Sequence, residues 1–236
     1  MAVWHGRVPY EQALDLQMKV CNAKKRGFGR DMLLLLEHPP TITLGRNASP
    51  AHLLAGDKEL ESRGVGVCHV DRGGDVTFHG PGQLVGYPLL SLHPGERDVH
   101  RYMRNLEESL IRLLDTYGIR SGRDAGFTGV WTDRGKIAAM GVHISRWTTR
   151  HGFALNVNTD LSFYSLIVPC GIVGKGVTSM REELGRTVDL AEAADRYITC
   201  FSSVFRRNMI PISPDALSDE FQQFRDRVDG NGGGAE

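Results

Sequence analysis

The chain has 236 residues, enough to bury a sizeable core as one large domain or two small ones. Its 28 Lys and Arg balance 28 Asp and Glu with no long run of either sign, which argues against a general nucleic-acid or anionic-membrane binder. No apolar run approaches the roughly 20 residues of a membrane span, and no basic-then-apolar leader opens the chain.

Cys21, Cys68, Cys170 and Cys200 lack C-x-x-C spacing and a disulfide-dense context, so free thiols in a reducing, cytoplasmic setting are expected. In chain order, Tyr10 to Lys25 spaces Ala13, Leu14, Met18 and Cys21 at helical intervals, with Gly27 positioned as the stop. Met32 to Leu36 is a continuous apolar run, read as a buried strand that ends at His38-Pro39-Pro40; Thr41 to Leu44 resumes as strand. Lys58 to Arg63 reads as a short helix and Val65 to Val70 as a strand.

Arg72 to Pro88 then reads R-G-G-D-V-T-F-H-G-P-G-Q-L-V-G-Y-P, before a strand over Leu84 to Leu92. Glycine permits positive φ and lets backbone approach a ligand. A hairpin that merely turns a corner is the plain alternative. It does not require His79 and Gln83 at fixed offsets from Pro81, and the polar interleaving favours a binding loop.

Val99 to Tyr117 is the clearest helix, with Met103, Leu106, Leu110, Leu113 and Leu114 on one face and Gly118 ending it. Gly129 to Thr132, Lys136 to Ser145 and Phe153 to Val157 read as strands, the last two linked across Trp147 to Gly152. Asp189 caps a helix from Leu190, and Ser213-Pro214 starts another toward Val228. The expected architecture is a single α/β domain over residues 1–228, a mixed β-sheet packed with helices, followed by a disordered Gly-rich tail over 229–236.

Cys21 and Cys200 fall in amphipathic helical patterns and Cys68 in a strand, where small core residues are ordinary. Cys170 differs, because Pro169 and Gly171 hold it in a fixed pose with little crowding. On the residues alone, core packing and chemistry weigh equally there. A nucleophilic thiol, which titrates at about 8.5 when free, needs a partner that favours the thiolate. Lys136, His79, His143 and His151 are the candidates, Lys136 standing at the mouth of a strand with small residues. The histidines lack tight spacing and neighbouring carboxylates, so no metal site is expected. H-E-x-x-H, G-x-S-x-G and the phosphate-loop pattern are absent.

Arg72-Gly73-Gly74 with Thr77-Phe78-His79-Gly80-Pro81-Gly82-Gln83 strongly resembles the signature of the lipoyl(octanoyl) transferase (LipB) family of lipoate synthesis. The resemblance continues through Gly135-Lys136-Ile137-Ala138-Ala139-Met140-Gly141-Val142-His143, His151-Gly152-Phe153-Ala154-Leu155-Asn156-Val157 and Pro169-Cys170-Gly171, in order over roughly residues 30 to 180. Met140 departs slightly, an aliphatic Ile or Leu being more usual there. The resemblance implies a fold related to the biotin and lipoate protein ligases. It implies transfer of octanoyl from octanoyl-acyl carrier protein to a lysine of lipoyl domains, as in 2-oxoacid dehydrogenase E2 subunits and the glycine cleavage H protein, with no cofactor. The family's acyl-thioester nucleophile falls on Cys170 and its thiol-activating lysine on Lys136. Its substrate-binding segments fall on Arg72, Gly73, Gly74, Asp75, Val76, Thr77, Phe78 and His79, on Ala139, Met140 and Gly141, and on Gly152, Phe153 and Ala154.

An apolar slot for eight carbons would have Gly73, Gly74, Ala138, Ala139 and Gly141 along its open part. His79 is expected to shape the pocket. His143 fits core packing and site contact equally. Arg46, Arg72, Arg146 and Arg150 are candidates to steer acidic partners. Oxyanion donors near Cys170 or Ala139 to Gly141 stay open. Two rivals remain: an ATP-dependent ligase, separable by adenylate formation, and a non-catalytic binding module, separable by single-turnover acylation.

Overall fold

Leu33 and Leu35 turn to one face of a sheet while Met32, Leu34 and Leu36 turn to the other, and all five are essentially without solvent contact. A strand covered on both sides cannot alternate polar with apolar residues, hence the unbroken M-L-L-L-L run. Each such side chain contributes about 2 kcal/mol by burial.

The computed structural model describes residues 1–171 and 175–230. Its strands and helices, in chain order, are β1 (Ala2–Arg7), α1 (Tyr10–Lys25), β2 (Met32–Glu37), β3 (Thr41–Leu44), α2 (Asp57–Ser62), β4 (Gly66–His69), β5 (Val76–His79) and β6 (Gln83–Leu89). There follow α3 (Val99–Asp115), β7 (Gly122–Asp124), β8 (Phe127–Thr132), β9 (Gly135–Ser145), β10 (Thr148–Asn156), α4 (Met180–Leu184), α5 (Leu190–Phe205) and α6 (Pro214–Gly230). A seven-stranded sheet runs β1-β2-β6-β10-β9-β8-β7, and a three-stranded one runs β4-β3-β5. Both are mixed: β1 lies parallel to β2 and β3 to β4, the other pairs being antiparallel. Among the described residues no helix is long and apolar enough to cross a membrane.

Helices α3 and α5 cover one face of the large sheet through Leu106, Leu110, Tyr197 and Phe201. On the other face lie α1, through Ala13 and Val20, and α6, through Leu217 and Phe224. The small sheet has its own core, where Ile42, Val76 and Phe78 meet Tyr164 and Leu166.

Several boundaries differ from the sequence-based expectation, each for a local reason. The glycine stretch contains a strand, β5. Its V-T-F-H alternation puts Val76 and Phe78 into the small-sheet core, so those two do not line the cavity described below. Gly80-Pro81-Gly82 is the turn that follows, with Gln83 N–H donating to Gly80 O at 3.1 Å. Gly82 has φ +78°, so this is a type II turn with proline and glycine in their favoured positions.

β10 starts at Thr148, not Phe153, because Arg146 (φ 49°) and Trp147 (φ 60°) make a tight hairpin with β9. Such a turn usually carries Asn or Gly, so nothing in this pair signals it. The short strands β1 and β7 and the helix α4 were not expected, although Ser179 accepts from Glu182 N–H at 3.2 Å in an S-x-x-E start. Helix α6 extends through 229–230, the first residues of the expected tail; 231–236 lie outside the described residues.

Asp189 caps α5 as expected, accepting from Glu192 N–H at 2.9 Å. Asp189→Ala is expected to cost about 1 kcal/mol, and thermal unfolding followed by circular dichroism should show a drop of about 3 °C. An unchanged melting temperature would remove the cap from the stability account.

Candidate active site

Cys170 and Lys136 are far apart in sequence, and backbone pairing brings them together. Lys136 N–H donates to Gly176 O at 2.9 Å and Lys136 O accepts from Thr178 N–H at 3.0 Å, so the segment after Cys170 runs beside the start of β9. Lys136 Nζ then lies 3.4 Å from Cys170 Sγ. The ammonium also sits 4.8 Å from the centre of the Trp131 ring, an attractive placement over an aromatic face. Lys136 is buried, and among the described residues no carboxylate lies within ion-pairing distance of it. The sulfur is therefore the polar side-chain partner of a buried cation. Cys170 is half-buried in a turn over Pro169–Gly171, with φ 56°.

The pair opens into a cavity of ≈ 520 Å³, within the usual range for a small-molecule site. Of the expected binding residues, Arg72, Gly73, Gly74, Asp75, Thr77 and His79 line it from the glycine stretch. Ala139, Met140 and Gly141 of β9 and Gly152, Phe153 and Ala154 of β10 line it from the large sheet. Ala138 instead faces the core, and His143 stands outside the cavity. There Arg46 donates to His143 Nδ1 at 2.8 Å, an alternative to that nitrogen's 3.1 Å contact with Asp71 O. Burial, then Arg46 and Lys25, lower the His143 pKa. Apolar wall comes from Val99 and Met103 of α3 and from Phe127 of β8.

A connected set of polar side chains supports this wall. Arg72 is buried and donates to Thr43 O at 2.8 Å, to Thr43 Oγ1 at 2.9 Å and to Gly73 O at 3.1 Å. Thr43 Oγ1 is 3.4 Å from His79 Nε2, and His79 Nδ1 is 2.9 Å from Gln83 Oε1. An amide oxygen only accepts, so His79 carries its proton on Nδ1 and takes the threonine hydroxyl at Nε2. Gln83 Nε2 in turn donates to Asn156 Oδ1 at 3.0 Å and to Phe78 O at 3.1 Å. Burial holds the His79 pKa well below the ordinary range, so the ring is neutral.

Tyr10 and Tyr87 also line the cavity and were not singled out, and His151, considered only as a partner for the thiol, joins them. Tyr10, at the start of α1, stacks on His79 with ring centres 5.8 Å apart, and its phenol is pushed up to about 12 by burial. Tyr87 of β6 donates to His38 Nε2 at 2.8 Å, since His38 Nδ1 gives its proton to Val8 O at 2.7 Å. His151, named earlier as a thiol-partner candidate, gives its Nε2 proton to Asp71 Oδ1 at 2.9 Å, which leaves Nδ1 buried without a partner among the described residues. Burial lowers the His151 pKa to about 3, so it too is neutral. Tyr10 and Tyr87 lie in an ordinary amphipathic helix and a buried strand, patterns that give no sign of a cavity. Of the arginines considered for steering, Arg72 is buried and Arg150 pairs with Asp71, whereas Arg46 and Arg146 are exposed.

A buried ammonium beside a cysteine, both lining a cavity with small residues in two strands, suits transfer of an acyl group through a thioester. The family model described as the lipoyl protein ligase A/B catalytic domain matches residues 9–202. An octanoyltransferase of Solibacter usitatus is 52% identical over 206 residues, 87% of this chain and 93% of that protein. In structure the chain is similar to a lipoate-protein ligase A solved with bound ATP (TM-score 0.65, 16% identity, 95% of this chain and 94% of that one). It is also similar to the biotin protein ligase of Aquifex aeolicus solved with biotin and ATP (TM-score 0.52, 14% identity, 87% and 70%). At those identities the two structures speak for the fold alone. The sequence relationship, sustained over most of both lengths, says more: the chain belongs to the octanoyltransferases of the lipoyl protein ligase A/B catalytic-domain family.

Proposed function

We propose that this enzyme moves octanoyl from the thioester of an acyl carrier protein to a lipoyl-domain lysine through a thioester on Cys170, with Lys136 carrying the proton. The 3.4 Å separation of Lys136 Nζ and Cys170 Sγ is the observation that carries this reading. An ammonium at that range favours the thiolate. The thiolate attacks the donor thioester, the carbon–sulfur bond to the carrier breaks, and the departing carrier thiolate takes a proton from Lys136. The acceptor amine then attacks the Cys170 thioester and gives its proton to the neutral Lys136 amine, and an amide forms as Cys170 leaves as thiolate. Atoms and charge balance with no nucleotide, because the donor is already activated. The acceptors are lipoyl domains of 2-oxoacid dehydrogenase E2 subunits and the glycine cleavage H protein, and exposed Arg46 and Arg146 are suited to meeting acidic partners.

Arg72, Gly73, Gly74, Asp75, Thr77 and His79 would hold the acyl group from one side, with Ala139, Met140, Gly141, Gly152, Phe153 and Ala154 on the other. Incubation with octanoyl-acyl carrier protein should add one octanoyl mass to the parent protein, removable by hydroxylamine and mapping to Cys170. Cys170→Ser should show no hydroxylamine-sensitive adduct and no transfer. Full adduct formation in that variant would refute the assignment.

A further inference from the structure

We infer that His52 and Asp75 act as positioning residues that brace the Cys170 turn and mask the Asp75 carboxylate from the sulfur. This rests on Cys170 being the nucleophile. Asp75 Oδ1 accepts from Val76 N–H at 2.8 Å and from Ser49 N–H at 3.2 Å, while Oδ2 accepts from His52 Nδ1. The His52 carbonyl accepts from Val168 N–H at 2.8 Å, two residues before the cysteine, and Leu53 bridges to Ile167. Gly171 rests directly on the side-chain pair: a Cβ there would stand 2.8 Å from Asp75 Oδ2 and 2.9 Å from His52 Cε1. Gly171 has φ +67° and Cys170 φ 56°, so two successive left-handed residues are held from below by one short segment. Such a conformation persists only where its surroundings over-determine it.

The brace has an electrostatic cost unless it is screened. Lys136 on β9 and the buried Arg72 guanidinium favour a sulfur anion, and the Tyr164 phenol packs nearby as a neutral group. Asp75 lines the same cavity as Cys170 and opposes that anion. Three N–H donors on its oxygens disperse the charge, and His52 supplies the side-chain one, on the oxygen nearest Gly171. An aspartate thus buttresses the turn without working against the thiolate.

Iodoacetamide alkylation of Cys170 at fixed neutral pH, mapped by peptide mass spectrometry, reads the sulfur's reactivity without needing substrate. His52→Phe keeps a ring but removes the donor, and should slow alkylation about tenfold. Adding Asp75→Asn to it should recover most of that loss, and His52→Asn, which keeps an N–H near the same place, should stay within about threefold of the parent. A merely structural role would not be repaired by neutralising the carboxylate. Equal rates in the parent and His52→Phe, or a double variant as slow as the single, would overturn the inference alone. A Cys170 that is unreactive in the parent would overturn the nucleophile assignment as well. Should His52→Phe not fold, Asp75→Asn in the parent chain reads the same effect: alkylation at least as fast as the parent supports screening, and a tenfold slower reaction overturns it.

Discussion

Lys136→Met is expected to lower kcat/KM for octanoyl transfer about a thousandfold while leaving the protein folded, the usual loss when a group that moves a catalytic proton is removed. Methionine fills much of the same channel and keeps an apolar stem against Trp131, but it brings neither charge nor proton to the sulfur 3.4 Å away. Stability should not suffer. Lys136 is buried with no carboxylate opposite it among the described residues, so its removal orphans no buried carboxylate, leaves a sulfur that can stay a neutral thiol, and relieves a desolvated cation. The melting temperature should match or exceed the parent's. Lys136→Arg separates the two roles assigned to the ammonium. A guanidinium stays protonated under all ordinary conditions. It can support the Cys170 thiolate, and the departing carrier thiolate, a good leaving group, can take its proton from water instead, but a guanidinium cannot take the proton of the incoming amine. Acyl-enzyme should then accumulate in the arginine variant and fail to form in the methionine variant, which stopped-flow quench and intact mass distinguish. Lys136→Met working within tenfold of the parent would mean that the sulfur is activated by something else.

How far such a site can be read from residues alone follows from which interactions leave local patterns. The long helices are periodic and β2 is an unbroken apolar run, so α1, β2 and α3 emerged with ends close to those observed, and α5 with its start. The turn at Gly82 is one that its own neighbours specify, because Pro-Gly favours type II whatever surrounds it, although the stretch as a whole was read as a binding loop. The β9–β10 hairpin is not specified in this way, since Arg146 and Trp147 take positive φ under the pull of strand pairing on either side. The V-T-F-H segment carries a two-residue period, but over four residues among glycines it reads as loop. Its strand character comes from pairing with β3, which no local pattern records.

The site divides in the same way. Cys170 and Lys136 stand in distinctive short contexts, and motif resemblance could single them out. Tyr10, Tyr87 and His52 reach the site by tertiary placement, from positions where tyrosine and histidine are unremarkable. Val76 and Phe78 show the converse. Lying within a binding motif does not put every member on the cavity wall, because alternate residues of a strand face opposite ways.

Gly152 shows how tightly cavity space and sheet geometry are joined. A Cβ at this position would stand 2.1 Å from Gly86 O and 2.7 Å from Pro88 Cδ, both on the neighbouring strand β6. Neither obstacle is the free end of a side chain. β6 is hydrogen-bonded between β2 and β10 in the middle of the seven-stranded sheet, and it cannot retreat without opening the ladder on its far side. The next residue tightens the constraint, for the Phe153 ring lies over Gly86 so closely that a Cβ on Gly86 would be 2.1 Å from Cε1. Gly152→Ala is therefore expected to destabilise the protein by about 3 kcal/mol, the upper part of the range for overpacking a core. In a chain of this size the melting temperature should fall by roughly 10 °C.

Gly73→Ala supplies the contrast, because its Cβ would meet only Val142 O at 3.5 Å, an ordinary contact. That variant should melt within about 2 °C of the parent. It should raise KM for the octanoyl donor instead, since the added methyl narrows the cavity wall without disturbing a ladder. If the two variants melted alike and differed only in KM, the small residues of β10 would be there for the acyl chain alone. A large drop confined to Gly152→Ala ties them to the crossing of β6 and β10, with cavity room as a consequence of strands that must pass this close.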